Sequence, residues 1–135
     1  MTKFSTNALT YRFCALQGWS CDTVQSWRGN QRHDLFGLFD SVALIGNRIF
    51  FIQNCTAGSI PAHERKMAER SGFIERIVAA GAVVECWEWK RKKAGGRLQW
   101  FWRSKTWGQI DSGVWDGPYD LYPKRSNGDD VCPEG

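Results

Sequence analysis

The chain has 135 residues, of which 42% are hydrophobic and 24% are charged, with a formal net charge of +4. This length fits one domain, and the composition excludes wholesale disorder, collagen-like repeats and coiled coils. No apolar run approaches the roughly 20 residues of a membrane-spanning helix, and the first residues lack the apolar block of a signal peptide. We therefore expect a cytoplasmic protein without a membrane segment.

The charge is distributed unevenly along the chain. Residues 1–105 contain 16 Lys and Arg against 8 Asp and Glu, whereas residues 106–135 contain 2 against 6. A basic body suits a polyanion such as nucleic acid, because each neutralised phosphate releases condensed counterions. A solvated basic surface would give the same counts, so charge alone leaves both interpretations open.

The first predicted elements are a helix over residues 7–18 that ends at a glycine and a strand over residues 20–26. Residues 34–56 contain two β-rich runs separated by the turn dipeptide Gly46-Asn47. This pattern predicts a hairpin of two largely buried strands, the first of which starts at residue 34.

Residues 61–81 have helical spacing with an interruption, which fits one broken helix or two short ones. Residues 82–107 alternate in the manner of a second hairpin. The acidic remainder is rich in Gly, Asp and Pro, and we expect no regular element there. The sequence thus predicts a domain over residues 1–107, followed by a tail over residues 108–135.

The predicted order of elements is α-β-β-β-α-β-β. Helices alternating with strands in this way indicate the α/β class, with a mixed β-sheet flanked by helices.

Asp40, Gln53 and Lys66 form the candidate site. Alternation places Asp40 among large apolar neighbours, with Gln53 close to it across the hairpin and Lys66 on the following helix. Carboxylate and amide oxygens are ligands that Mg²⁺ prefers, and a lysine can neutralise the transition state of phosphodiester hydrolysis. Spacing alone favours a structural role, in which Asp40 hydrogen-bonds inside the hairpin and Gln53 satisfies a buried backbone group.

The segments GLFDSVAL and RIFFIQNCTAGSIPAHERK, joined by the Gly-Asn turn, resemble the core of the restriction-endonuclease-like, or PD-(D/E)XK, nuclease superfamily. The resemblance is greatest to small phage and bacterial proteins similar to Holliday-junction resolvases. That family carries an Asp on the second core strand, an acid or Gln on the third, and a Lys two positions later. Asp40 and Gln53 match the first two positions, whereas Cys55 stands where the lysine would be.

The resemblance, which covers roughly residues 5–105, implies a DNA-binding, metal-dependent endonuclease that acts on structured or branched DNA. Asp40 and Gln53 would then bind Mg²⁺ or Mn²⁺, and Lys66 would be a migrated catalytic lysine. The opening helix lacks the family's additional acid, and whether Asp34 replaces it stays open. A resolvase of this type would be expected to form a homodimer, so that two sites face two strands.

Two other functions compete with the nuclease. The main alternative is a catalytically inactive nucleic-acid-binding protein that retains the fold, because the lysine and the helix acid are missing. A protein-interaction module built on the Trp-rich second hairpin ranks last, since it would ignore the charge asymmetry.

Two basic clusters are candidates for contacts with nucleic-acid phosphates. They consist of Arg28 and Arg32 in a polar loop and of Lys90, Arg91, Lys92 and Lys93 in the second hairpin. The tryptophans interleaved with the second cluster could stack on bases, but cross-strand pairs that stabilise the hairpin are the favoured interpretation.

Overall fold

The computed structural model describes residues 5–24, 26–109 and 113–121, and gives the backbone alone for residues 26–28 and 32. Its elements are, in chain order, α1 (Thr6–Gln17), β1 (Ser20–Thr23), β2 (Ser26–Arg28), β3 (Gln31–His33), β4 (Ser41–Ile45), β5 (Arg48–Thr56), α2 (Ile60–Ala68), α3 (Ser71–Ala79), β6 (Val83–Ala94), β7 (Arg97–Thr106) and β8 (Asp116–Tyr119). None of the helices in this described part is long and apolar enough to cross a membrane.

Six strands form one sheet in the order β1-β4-β5-β6-β7-β8. The β5–β6 pair is parallel, whereas the other neighbours are antiparallel. A parallel pair needs a long crossover connection, which α2 and α3 supply. The predicted mixed sheet with flanking helices is confirmed, and the helical region after β5 is two short helices.

Helices cover both sides of the sheet. On the side of α1, the buried apolar residues are Leu9, Phe13, Cys14, Ala43, Ile52, Trp87, Trp89 and Leu121. On the side of α2 and α3, they are Leu38, Phe39, Cys55, Ile60, Met67, Ile74, Val84 and Cys86. Successive residues of a strand point to opposite sides, so each central strand contributes to both clusters. We call these sides the α1 face and the α2–α3 face.

The limits of α1 follow from its capping residues. The Ser5 side chain accepts a hydrogen bond of 3.1 Å from the backbone N–H of Ala8, which satisfies one of the free donors at the helix start. Gly18 ends the helix in the left-handed conformation, with a φ of 82°. The predicted opening helix is therefore confirmed.

The strand expected from residue 34 starts later than predicted. Residues 34–39 instead form a tight turn, in which the N–H of Gly37 donates to the carbonyl of Asp34 at 2.8 Å and Leu35 bridges to Phe39. Phe36 and Gly37 both have positive φ, which a strand does not accommodate. The strand begins only at Ser41, so Asp40 lies immediately before it.

The strand expected over residues 20–26 is shorter than predicted, because β1 ends at Thr23. The polar stretch predicted as a loop contains the small hairpin β2–β3, which lies outside the main sheet. Its turn contains Gly29 with a φ of 62°, a conformation that glycine adopts without steric cost.

The segment after residue 108 is more ordered than predicted. Residues 116–119 form β8, which pairs with β7 at the sheet edge, and Leu121 is buried in the α1-face cluster. Gly, Asp and Pro obscure this strand in the sequence because all three are depleted in strands. Residues 122–135 lie outside the described part of the chain.

Phe13 occupies the centre of the α1-face core. Its ring centroid lies 4.8–6.0 Å from the rings of Trp19, Trp87, Trp89, Trp102 and Tyr119. Most of these ring pairs are edge-to-face, an arrangement that adds to the stabilisation from buried area. Phe13 thus links the opening helix to strands β6, β7 and β8.

We expect Phe13→Ala to lower the free energy of unfolding by about 3–5 kcal/mol, because it leaves a cavity among aromatic rings. Urea denaturation followed by tryptophan fluorescence measures this change. The control is Leu16→Ala on the same helix, which is 61% exposed and should change stability by less than about 0.5 kcal/mol. Equal effects of the two variants would contradict this assignment of the core.

Candidate functional site

Asp40 is fixed against β5 by two hydrogen bonds. Its backbone N–H donates to the carbonyl of Ile52, and its Oδ2 accepts from the backbone N–H of Asn54, both at 2.9 Å. These partners lie on either side of Gln53. The hairpin therefore sets the backbone of Asp40 next to that of Gln53.

Gln53 is a buried polar residue on the α2–α3 face. It lies between Cys55, which belongs to the buried apolar cluster of that face, and Phe51, which packs against this cluster. The residue is 2% exposed, and among the described residues its Oε1 has no hydrogen-bond partner. Buried polar atoms are almost always hydrogen-bonded, so this oxygen calls for an explanation.

Asn54, the neighbour of Gln53, organises the opposite face. Its side chain forms three hydrogen bonds of 2.5–2.9 Å, with Thr10, Asn7 and Ser41. The sequence analysis did not identify this network, although a polar Asn54 inside an apolar strand was a usable signal. Because its backbone N–H also binds Asp40, Asn54 connects α1 to the candidate site.

Cys55 occupies the position where the resembled family has a lysine. The pKa of its thiol is raised to about 12, mainly by burial. A hydrogen bond with Ser59 and the charge of Arg103 oppose this rise, whereas the negative charges of Glu88 and Asp40 contribute to it. The thiol is protonated at neutral pH, and it donates to the carbonyl of Trp87 at 3.5 Å. Cys55 can therefore supply neither a positive charge nor a reactive thiolate.

Glu88 is a second carboxylate on the α2–α3 face, which the sequence analysis did not single out. It is completely buried and lies next to Cys55 in the β5–β6 register. Its oxygens accept hydrogen bonds of 2.6 Å from Arg103 Nε and from the backbone N–H of Gly58. This buried ion pair joins β6, β7 and the loop before α2. The sequence signal for this ion pair was a glutamate, Glu88, within a stretch of β6 whose other residues are mostly apolar.

Lys66 is not brought to Asp40 and Gln53. It lies on α2, whose residues Ile60 and Met67 face the sheet, and its side chain is exposed. Within the described residues its ammonium forms no hydrogen bond or ion pair. Burial, and next the charge of Lys66, lower the pKa of His63 on the same helix.

Two other cations reach the α2–α3 face from β7. Arg103 pairs with Glu88, and Lys105 binds Glu64 of α2. Lys105 lies next to Cys86 in the strand register, and Cys86 lies next to Gln53. The positive groups closest in register to the site are therefore both paired with carboxylates.

The predicted basic cluster of the second hairpin divides between the two faces of the sheet. Its members alternate along β6, so Lys90 and Lys92 lie on one side while Arg91 and Lys93 lie on the other. Glu88 precedes Lys90 by two residues, which assigns the Lys90 side to the α2–α3 face. Only this half of the cluster shares a face with Gln53.

The other predicted basic cluster lies in the small β2–β3 hairpin. The backbone of Arg28 ends β2, and that of Arg32 is in β3. The side chains of both arginines lie outside the described part of the structure. Asp34, the residue that could replace the missing helix acid, opens the turn that leads to Asp40.

Asp40 and Gln53 together offer a carboxylate and an amide oxygen to a divalent cation. Among the described residues the Oε1 of Gln53 has no hydrogen-bond partner, so it is available to a cation or to a water molecule. Within the described ranges, no group of three or more His, Cys, Asp and Glu could hold a metal ion.

No family model, curated protein or solved structure matches this chain.

The cysteines give a direct test of the electrostatics described above. A hydrogen bond from Cys14 lowers the pKa of the half-buried Cys21, whereas burial raises the pKa values of Cys55 and Cys86 to about 12. Because only the thiolate reacts, iodoacetamide at about pH 8 should modify Cys21 well before Cys55 and Cys86. Peptide mass spectrometry of the folded protein measures these rates. Modification of Cys55 as fast as Cys21 would contradict its assignment as an inert thiol.

Proposed function

We propose that this protein binds DNA and hydrolyses its phosphodiester bonds with Mg²⁺ or Mn²⁺ at Asp40 and Gln53. The observation that carries the proposal is the position of Asp40 against β5. Asp40 forms hydrogen bonds with Ile52 and Asn54, the residues on either side of Gln53. The buried Oε1 of Gln53 has no partner among the described residues. A carboxylate oxygen and an amide oxygen without a hydrogen-bond partner are ligands of the kind that Mg²⁺ prefers. The excess of positive charge on the protein would attract the phosphates of DNA.

The order of elements supports the proposal. When the small β2–β3 hairpin is set aside, the chain runs through α1, β1, β4, β5, a helical crossover and β6. In the resembled nuclease superfamily the Asp lies on the second core strand and the acid or Gln on the third. In this chain, Asp40 directly precedes the second strand of that series, and Gln53 lies in the third.

Each residue of the site has a role in the proposed reaction. The backbone N–H of Asn54 orients the carboxylate of Asp40, and the neighbouring Gln53 contributes a buried amide oxygen. When bound there, Mg²⁺ would activate water and stabilise the charge that develops on the phosphate. Lys66, exposed on α2, would contribute positive charge to DNA that crosses this helix.

The proposed substrate is structured or branched DNA, as the resemblance to resolvase-like proteins suggests. Cleavage of two strands at a junction would require two copies of the site, which a homodimer would supply. The excess of positive charge in residues 1–105 favours association with the phosphate backbone in either case.

A catalytically inactive DNA-binding protein is the second candidate function. One observation favours it: Oδ2 of Asp40 already accepts a hydrogen bond inside the hairpin, which is a complete structural role for this oxygen. Position 55 also provides a neutral thiol instead of a lysine. In this case Asp40 would be needed for stability and not for cleavage.

We expect Asp40→Asn to reduce Mg²⁺-dependent cleavage of a branched DNA by about 100-fold or more, because it removes the anionic ligand. DNA affinity should stay the same or increase, since a negative charge near phosphate disappears. Gln53→Glu should tighten binding of Mg²⁺, which isothermal titration calorimetry measures. The matched control is Asp22→Asn on the exposed edge strand β1, which should leave cleavage, DNA affinity and Mg²⁺ binding unchanged.

Absence of cleavage would favour the second candidate function, a catalytically inactive DNA-binding protein. If no branched, duplex or single-stranded DNA is cleaved with Mg²⁺ or Mn²⁺, and Asp40→Asn lowers the melting temperature, the carboxylate is structural. The hydrolytic proposal is then wrong, while DNA binding is tested separately.

The division of the basic cluster predicts a difference between two double variants. Lys90→Ala with Lys92→Ala should weaken DNA binding and reduce the slope of log affinity against log salt by about two, because two phosphate contacts are lost. Arg91→Ala with Lys93→Ala, on the other face, should change the slope by less than half as much. Fluorescence anisotropy across a salt series measures both. Equal slopes for the two variants would show that DNA does not approach the α2–α3 face.

A further inference from the structure

The indole ring of Trp115 lies against two cations on the β6–β7 hairpin. The ammonium of Lys90 is 4.3 Å from the ring centroid, and the guanidinium of Arg103 is 4.5 Å from it. Both cations are within the distance at which a ring attracts a positive charge. These two contacts place the indole ring of Trp115 next to positively charged side chains.

Trp115 is unlike the tryptophans of the core. Trp87 and Trp89 are almost completely buried in the α1-face cluster, which accounts for them structurally. Trp115 belongs to neither core cluster, is partly exposed, and comes from a stretch without regular structure between β7 and β8. Packing of the core does not explain this large ring at the surface.

The position of Trp115 relates it to the candidate site. Arg103, which contacts its ring, is paired with Glu88, and Glu88 lies next to Cys55 in the register. Cys55 is two residues from Gln53 on the same face of the sheet. Arg103 therefore connects the Trp115 ring, through the buried Glu88, to the part of the sheet that contains Gln53.

We propose that Trp115 is a stacking site for an unpaired base of DNA, with Lys90 and Lys92 binding the phosphates beside that base. An aromatic ring next to positive charges is complementary to a nucleotide, because the ring can stack on the base while the charges bind the adjacent phosphate. Stacking on a ring does not depend on base identity, and it is available only to a base that is not paired. The inference rests on the proposed DNA-binding function and specifies its substrate as DNA with a single-stranded stretch.

Trp115→Ala should weaken binding of a single-stranded oligothymidylate of about 12 nucleotides by roughly tenfold, since one stacking contact is lost. Affinity for a duplex of the same length should change by less than about twofold. Trp115→Phe keeps a ring and should retain most of the single-strand affinity. The matched control is Val114→Ala, because Val114 is the adjacent residue, is 69% exposed and has no ring. Fluorescence anisotropy of labelled DNA measures all these affinities, and melting temperatures verify that the variants fold.

Three results would overturn the stacking site: Trp115→Ala changes neither affinity, lowers both equally, or strengthens single-strand binding because the ring covers Lys90 and Arg103. If the wild-type protein binds duplex DNA through Lys90 and Lys92 but shows one of these results, only the stacking site is wrong. If the wild-type protein and all variants bind neither form of DNA, the proposed function is wrong as well.

Discussion

The hydrogen bond from the backbone N–H of Asn54 to the carboxylate of Asp40 is the contact on which the candidate site depends. It joins β5 to the residue just before β4, where the regular strand pairing has ended. The side chain of Asn54 simultaneously binds α1 through Thr10. Asn54 thus contacts both α1 and the carboxylate of Asp40, and loss of one partner in such a buried polar network would be destabilising.

Two ion pairs show which positive side chains of β7 have a structural role. Buried Glu88 and partly buried Glu64 neutralise Arg103 and Lys105, so these cations hold strands and helices together. A buried carboxylate without its partner would be strongly destabilising. Lys90 and Lys92, towards the end of the β6–β7 hairpin, share a face with Gln53, and Lys66 is exposed on α2.

Alternation and turn chemistry were sufficient to predict the β4–β5 hairpin, although the strand expected from residue 34 begins only at Ser41. The Gly46-Asn47 turn fixes the register, and the register fixes which side chains are neighbours. Sequence reasoning did not find the Glu88–Arg103 pair, because its two members belong to different strands and its third partner, Gly58, belongs to a loop. It also placed Lys66 at the site from helix spacing, whereas the orientation of α2 leaves that side chain exposed.

The Mg²⁺ proposal is tested most directly by a crystal structure of the protein soaked in Mn²⁺, with data collected at a wavelength where manganese scatters anomalously. We predict one anomalous peak within coordination distance of a carboxylate oxygen of Asp40 and of Gln53 Oε1, with water in the remaining positions. The contradicting result is a Gln53 amide that hydrogen-bonds only to protein or water, with no peak at Asp40.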